Sequence, residues 1–211
     1  MVDRITLTAA EVAFLMSTRA AVRPPLAAAL GLTDADFTDA VCGAGLGSLL
    51  LRQLATPLQA NHVDLAPPLA AVAEGLTNPV ALVQIGLVAN EGADGSILVD
   101  ASPVRFLIAP RMFRCFDISG IDLTLDVREP LLQIADAFLR RYQPGVATFT
   151  VSTPAGDAGA ASIAVTEDGS WQFLTGTGAD EAVPEPTPVA GLDEAREQLR
   201  GALGRLMGVE V

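Results

Sequence analysis

The chain has 211 residues, half of them hydrophobic, with only 5% aromatic and a mean hydropathy of +0.41, so a sizeable core is built from Leu, Val, Ile and Ala. All 13 basic residues are arginine, and the formal net charge is −12. A chain this acidic is poorly suited to nucleic acid, whose binders draw affinity from neutralising phosphates, or to an anionic membrane surface.

The N-terminal third reads as helical. Thr8-Ala9-Ala10-Glu11 has the form of a capping box, with Thr8 and Glu11 each satisfying a backbone N–H of the other. Val12, Leu15, Met16 and Arg19 then mark an amphipathic helix that stops before Pro24-Pro25. A short helix over Leu26 to Leu30 ends at Gly31. Thr33-Asp34-Ala35-Asp36 caps a third helix with Phe37 and Val41, ending at Gly43. Leu46 to Leu54 fits helix or strand. His62 to Leu65 forms a short strand, and Pro67-Pro68 opens a helix through Ala73 to Gly75.

From Thr77 the hydrophobic period becomes two. Strands are expected over Val80 to Val88, Ser96 to Asp100, Arg105 to Ala109, Phe113 to Ile118 and Ile121 to Val127. In the last, Ile121, Leu123, Leu125 and Val127 point inward, and Asp122, Thr124 and Asp126 outward. Glu129-Pro130 opens a helix with Leu131, Leu132, Ile134, Ala135 and Phe138 on one face, closing on Arg140-Arg141, cations placed at the negative end of the helix dipole. Strands follow over Val146 to Ser152, Ala161 to Thr166 and Ser170 to Leu174, the last two joined by the turn Glu167-Asp168-Gly169. Gly176 to Val189 reads as a linker, and Leu192 to Met207 as a final helix with Leu199, Leu203 and Leu206 on its seam. The expected fold is α+β: a meandering antiparallel sheet backed by helices, in a loosely repeated strands–helix unit. Residues 1–76 form a helical, winged-helix-like N-terminal part and residues 77–211 the antiparallel part, the two being separate or one continuous domain.

The candidate chemistry is sparse. Gly43-Ala44-Gly45-Leu46-Gly47-Ser48 is similar to a phosphate-cradling loop, yet it follows a helix and the chain has no lysine for a P-loop; a helix-terminating linker explains it better. Asp34-Ala35-Asp36-Phe37-Thr38 matches the DxDxT string of haloacid-dehalogenase-like phosphotransferases. That chemistry needs the first aspartate at the end of a buried strand and a lysine nearby, so first-turn carboxylates at a helix start are the better reading. His62 is the only histidine, which disfavours a zinc site or a Ser-His-Asp arrangement and suits a solvent-side or capping role. Cys42 and Cys115 read as small buried apolar residues, too sparse for a secreted disulfide framework. Asp117, Asp122 and Asp126 read as solvated acids, and Trp171 with Phe173 as core or an interface anchor. Neither a signal peptide nor a membrane span is discernible. The residues therefore assign no catalytic, cofactor or metal site, and point to a cytoplasmic protein-binding module whose partner is another protein or itself. The alternatives are a winged-helix transcriptional regulator, disfavoured by Asp36 and Asp39 on its would-be recognition helix, and a small-ligand-binding domain using the sheet face.

One block is similar to a known family. Leu51-Arg52-Gln53-Leu54-Ala55, then Val63-Asp64-Leu65-Ala66-Pro67-Pro68-Leu69, then Ala73-Glu74-Gly75-Leu76-Thr77-Asn78-Pro79 leading into Val80-Ala81-Leu82-Val83, resembles the EspG-type chaperones of type VII (ESX) secretion. The opening Leu7-Thr8-Ala9-Ala10-Glu11 resembles that family's start. The resemblance spans roughly the first two-thirds of the chain. It implies a pseudo-twofold arrangement of sheet–helix halves and a cytosolic, non-enzymatic protein that shields an aggregation-prone helical tip of a secretion substrate. It carries no individual binding residue onto this sequence.

Overall fold

A computed structural model describes residues 4–18, 25–58, 62–154, 156–176 and 185–209. The chain divides into two compact units, Met1–Val80 with Val99–Leu123, and Ala81–Leu98 with Thr124–Val211. The fold is α+β, and within each unit the strands described below pair antiparallel.

In the first unit, β1 (Ile5–Thr8) runs into α1 (Ala9–Ser17), followed by α2 (Pro25–Ala29) and α3 (Asp39–Leu51). A small hairpin of β2 (Ala55–Pro57) and β3 (Val63–Leu65) precedes α4 (Pro67–Thr77). The Thr8–Glu11 capping box is present, and Val12, Leu15 and Met16 are buried; Arg19 lies outside the described residues. The Thr33 box caps a single 3₁₀ turn, Asp34–Phe37, rather than one helix running to Gly43; Val41 and Gly43 belong to the separate α3.

The glycine-rich segment is helix interior, where a terminating linker was expected. α3 runs through Gly43, Gly45 and Gly47, and at Gly45 it meets α1 at very close range. A Cβ on Gly45 would lie 2.1 Å from the backbone oxygen of Ala10, so only glycine lets the backbones approach this way. The apolar run Leu46 to Leu51 is the C-terminal half of the same helix.

This unit also holds the end of β5 (Gly92–Ala101), together with β6 (Val104–Arg111) and β7 (Cys115–Gly120). β7 pairs with both β6 and β1. Residues 121–127 do not form the expected strand. Of the residues expected to point inward, Leu123 and Leu125 are 50% and 51% exposed, and Val127 alone is buried. The segment instead prepares a helix start, where Asp126 accepts from the backbone N–H of Arg128 at 2.9 Å.

In the second unit, β4 (Ala81–Ala89) pairs with β8 (Gly145–Thr153), β8 with β9 (Gly156–Val165), β9 with β10 (Trp171–Gly176), and β10 with β11 (Thr187–Val189). β11 lies within the stretch expected to be a linker; residues 177–184 of that stretch are outside the described residues. Gly169, with φ +81°, closes the expected β9–β10 turn. α5 (Arg128–Arg141) and α6 (Leu192–Met207) back these strands, burying Leu131, Leu132, Ala135 and Leu139 from one and Leu199, Leu203 and Leu206 from the other. The two helices are tied together by Glu129, which accepts from Arg200 at 2.6 Å and from Arg196 at 3.3 Å.

Candidate functional site

Three features of the first unit concentrate polar or exposed apolar groups. The first links α1 to α3. Glu11 is fully buried, its Oε2 accepting from the Thr8 backbone N–H at 2.7 Å. Oε1 accepts from Ser48 Oγ and from Arg52 Nη1, both at 2.8 Å, and Oε2 accepts from Arg52 Nη1 as well at 2.9 Å. The sequence disclosed the cap; it did not disclose that the same carboxylate joins two helices. This arrangement satisfies a buried charge and leaves no acceptor open for chemistry.

The second feature is the tip of the β6–β7 hairpin, Met112-Phe113-Arg114. Met112 and Phe113 are 81% and 90% exposed, the two most exposed large hydrophobic residues in this part of the sheet. Phe113 (φ 62°, ψ 28°) and Arg114 (φ 55°) both take left-handed backbone angles. For L-residues other than glycine, asparagine and aspartate these angles cost about 1–2 kcal/mol each. The expected strand at Phe113 begins only at Cys115 for this reason.

The tip is held on both sides by ion pairs. Arg114 donates from both terminal nitrogens to the buried Asp36, at 2.8 and 3.0 Å, and reaches the Gly31 carbonyl at 3.4 Å. Asp36 also accepts from the Thr33 backbone N–H at 2.8 Å. On the other side Arg111 Nε donates to Asp117 at 2.8 Å, and Thr6 Oγ1 donates to the same carboxylate at 2.6 Å. Arg4 shares it as well. Asp117 is thus buried and paired, not solvated as its sequence neighbourhood suggested.

These pairings displace the carboxylates' protonation. The Arg114 guanidinium, with the Thr33 backbone N–H, lowers Asp36 from 3.8 to about 2. Thr6, Arg111 and Arg4 hold Asp117 well below the usual carboxylate range. A carboxylate with a depressed folded-state pKa binds fewer protons folded than unfolded, so it stabilises the fold above its unfolded value. That contribution is lost as pH falls from about 4 towards 2. Asp36→Asn is expected to lower stability at neutral pH and to flatten the stability profile between pH 4 and 2. Thermal melts across that range check it; an unchanged acid limb refutes the assignment.

The third feature is a cleft of about 520 Å³ lined by Pro67, Pro68, Ala71, Pro103, Val104 and Leu123. Arg105 also borders it, donating from Nε to Asp100 at 3.0 Å. Its lining is mainly apolar, with Asp122, one of the carboxylates singled out in the sequence, on its wall beside Arg105.

The remaining sequence candidates are scattered. Asp34 and Asp36 share the 3₁₀ turn, where Asp36 serves as an ion-pair partner. His62 is exposed beside β3. Cys42 and Cys115 are half-buried free thiols rather than fully buried ones. Asp126 pairs with Arg128 at 2.6 Å and is lowered to about 2 by that contact. Phe173 is core and Trp171 half-buried. Among the described residues there is no group of three or more His, Cys, Asp or Glu placed to hold a metal ion, and no helix long and apolar enough to cross a membrane.

The architecture is that of a known α+β fold. The chain is similar to a solved structure of the Mycobacterium tuberculosis type VII secretion system chaperone EspG5, determined in complex with the PE25–PPE41 dimer. The match covers 96% of each chain with a TM-score of 0.61, at 11% sequence identity. No protein-family model and no curated protein matches the sequence.

Proposed function

We propose that this chain is a non-enzymatic, cytoplasmic protein-binding module that acts as a chaperone for a secretion substrate, in the manner of the EspG-type proteins. The observation that carries the reading is the fold likeness itself, which spans nearly the whole of both chains and follows a chaperone captured with a protein dimer. The block from Leu51 to Val83 and the opening Leu7 to Glu11 support it from the sequence side. The acidic balance, −12 with no lysine, suits a partner protein better than nucleic acid.

The test is co-expression with each protein encoded by neighbouring reading frames, followed by size exclusion with light scattering. The expected result is a stable heteromeric complex whose mass equals the sum of its components. A lone monomer with every neighbour overturns the reading. Salt-dependent binding to duplex DNA overturns it in favour of a regulator.

A further inference from the structure

At the hairpin tip Met112-Phe113-Arg114, Arg114 is fixed by Asp36, while the side chains of Met112 and Phe113 stand in solvent. Phe113 is 90% exposed, so its ring adds almost nothing to the core. Its backbone sits where glycine or asparagine is easier to place, as does that of Arg114. The ring therefore gives the core nothing to offset the backbone strain, and it stands exposed for contact with something outside the chain. The tip is also fixed in advance. Arg114 clamps it to Asp36 with two hydrogen bonds, and Arg111 ties its other flank to Asp117. Presenting an aromatic group already ordered reduces what binding must immobilise.

Charge narrows the partner. Arg4 and Arg111 share the single carboxylate of Asp117, and their side chains remain 66% and 49% exposed. Each guanidinium has five N–H donors, and the contacts with Asp117 engage one nitrogen of each. On the β1 side of the tip two guanidinium groups thus face one carboxylate, whereas on the other side Arg114 pairs with Asp36, two residues from the exposed Asp34. An anionic lipid surface would meet the chain's overall repulsion, which favours a protein as the occupant.

We propose that the β6–β7 tip is a docking knob: Met112 and Phe113 enter an apolar socket on a protein partner whose rim carries carboxylates facing Arg4 and Arg111. The inference rests on the protein-binding reading and specifies its contact. The probe is the heteromeric complex formed by the full chain with its neighbour-encoded partner. Affinity is measured at low and high salt, alongside the thermal midpoint of each free variant.

Phe113→Gly is expected to weaken the complex at least about tenfold, as for loss of a hot-spot aromatic, while the free chain melts at the same or a higher temperature. Phe113→Trp is expected to bind within about threefold of the original chain, since it preserves a large apolar anchor. Arg4→Ala is expected to weaken binding at low salt and to reduce the salt dependence. Undiminished binding by Phe113→Gly overturns the knob and leaves the protein-binding reading intact. Failure of the original chain to form any complex overturns both. Salt dependence unchanged by Arg4→Ala overturns the acidic rim. Phe113-dependent binding to phosphatidylglycerol vesicles, or a Phe113-dependent homodimer in light scattering, overturns the partner assigned.

Discussion

Gly45→Ala is expected to destabilise the protein by about 3 kcal/mol, the upper range for forcing volume into a packed contact. Gly43→Ala and Gly47→Ala, in the same helix, are expected to stabilise it by about 0.5–1 kcal/mol each. The three glycines share a sequence context and differ in what surrounds them. A methyl on Gly43 or Gly47 meets nothing within 4 Å, so only the helix preference of alanine is felt. A methyl on Gly45 meets the Ala10 oxygen at 2.1 Å, and a backbone atom in a helix cannot swing aside as a side-chain end does. Urea unfolding of the three single variants decides the matter. If Gly45→Ala stabilises like its neighbours, α1 and α3 do not cross as described.

Glu11→Ala is the second large effect, expected at about 3 kcal/mol from the lost cap and the lost charge-assisted hydrogen bonds. The consequences differ between partners. Arg52 is 39% exposed and regains water once Glu11 is gone, whereas Glu11, fully buried, loses its cationic partner when Arg52 is removed. Arg52→Ala is therefore expected to cost at least as much as Glu11→Ala, because it strands a carboxylate rather than a cation. The double variant should fall well short of the sum, and unfolding of all four proteins measures that coupling. Additive losses would mean that Ser48 and Thr8, rather than Arg52, satisfy the carboxylate.

The parts of the fold written in local chemistry were legible in the sequence. The Thr8–Glu11 box, the Pro67-Pro68 start of α4, the turn at Gly169 and the full span of α6 depend on residues close together in the chain. The errors lie where a distant contact decides. Glycine at 43, 45 and 47 reads as a helix break until Ala10 is placed against Gly45. Leu123 and Leu125 alternate with polar residues as a strand does, but period two does not show whether a neighbouring strand exists. The tip at Phe113 has no Gly, Asn or Asp to announce left-handed angles. It is set by the pairing of Arg114 with Asp36, 78 residues away in sequence. Asp117 looked solvated because its partners Arg4 and Thr6 come from the other end of the unit. The candidate docking element was the least legible feature, since a Met-Phe pair in a strand-like stretch reads as core.

The short strand β11 bears on how such a protein behaves when crowded. It has three residues, and its middle one, Pro188, lies opposite Gln172 of β10. Proline has no N–H to offer, and a three-residue strand presents few groups for an incoming chain to zip onto. Edge-to-edge growth into fibrils is therefore blunted at this border, which suits a protein proposed to hold an aggregation-prone client without seeding aggregates of its own.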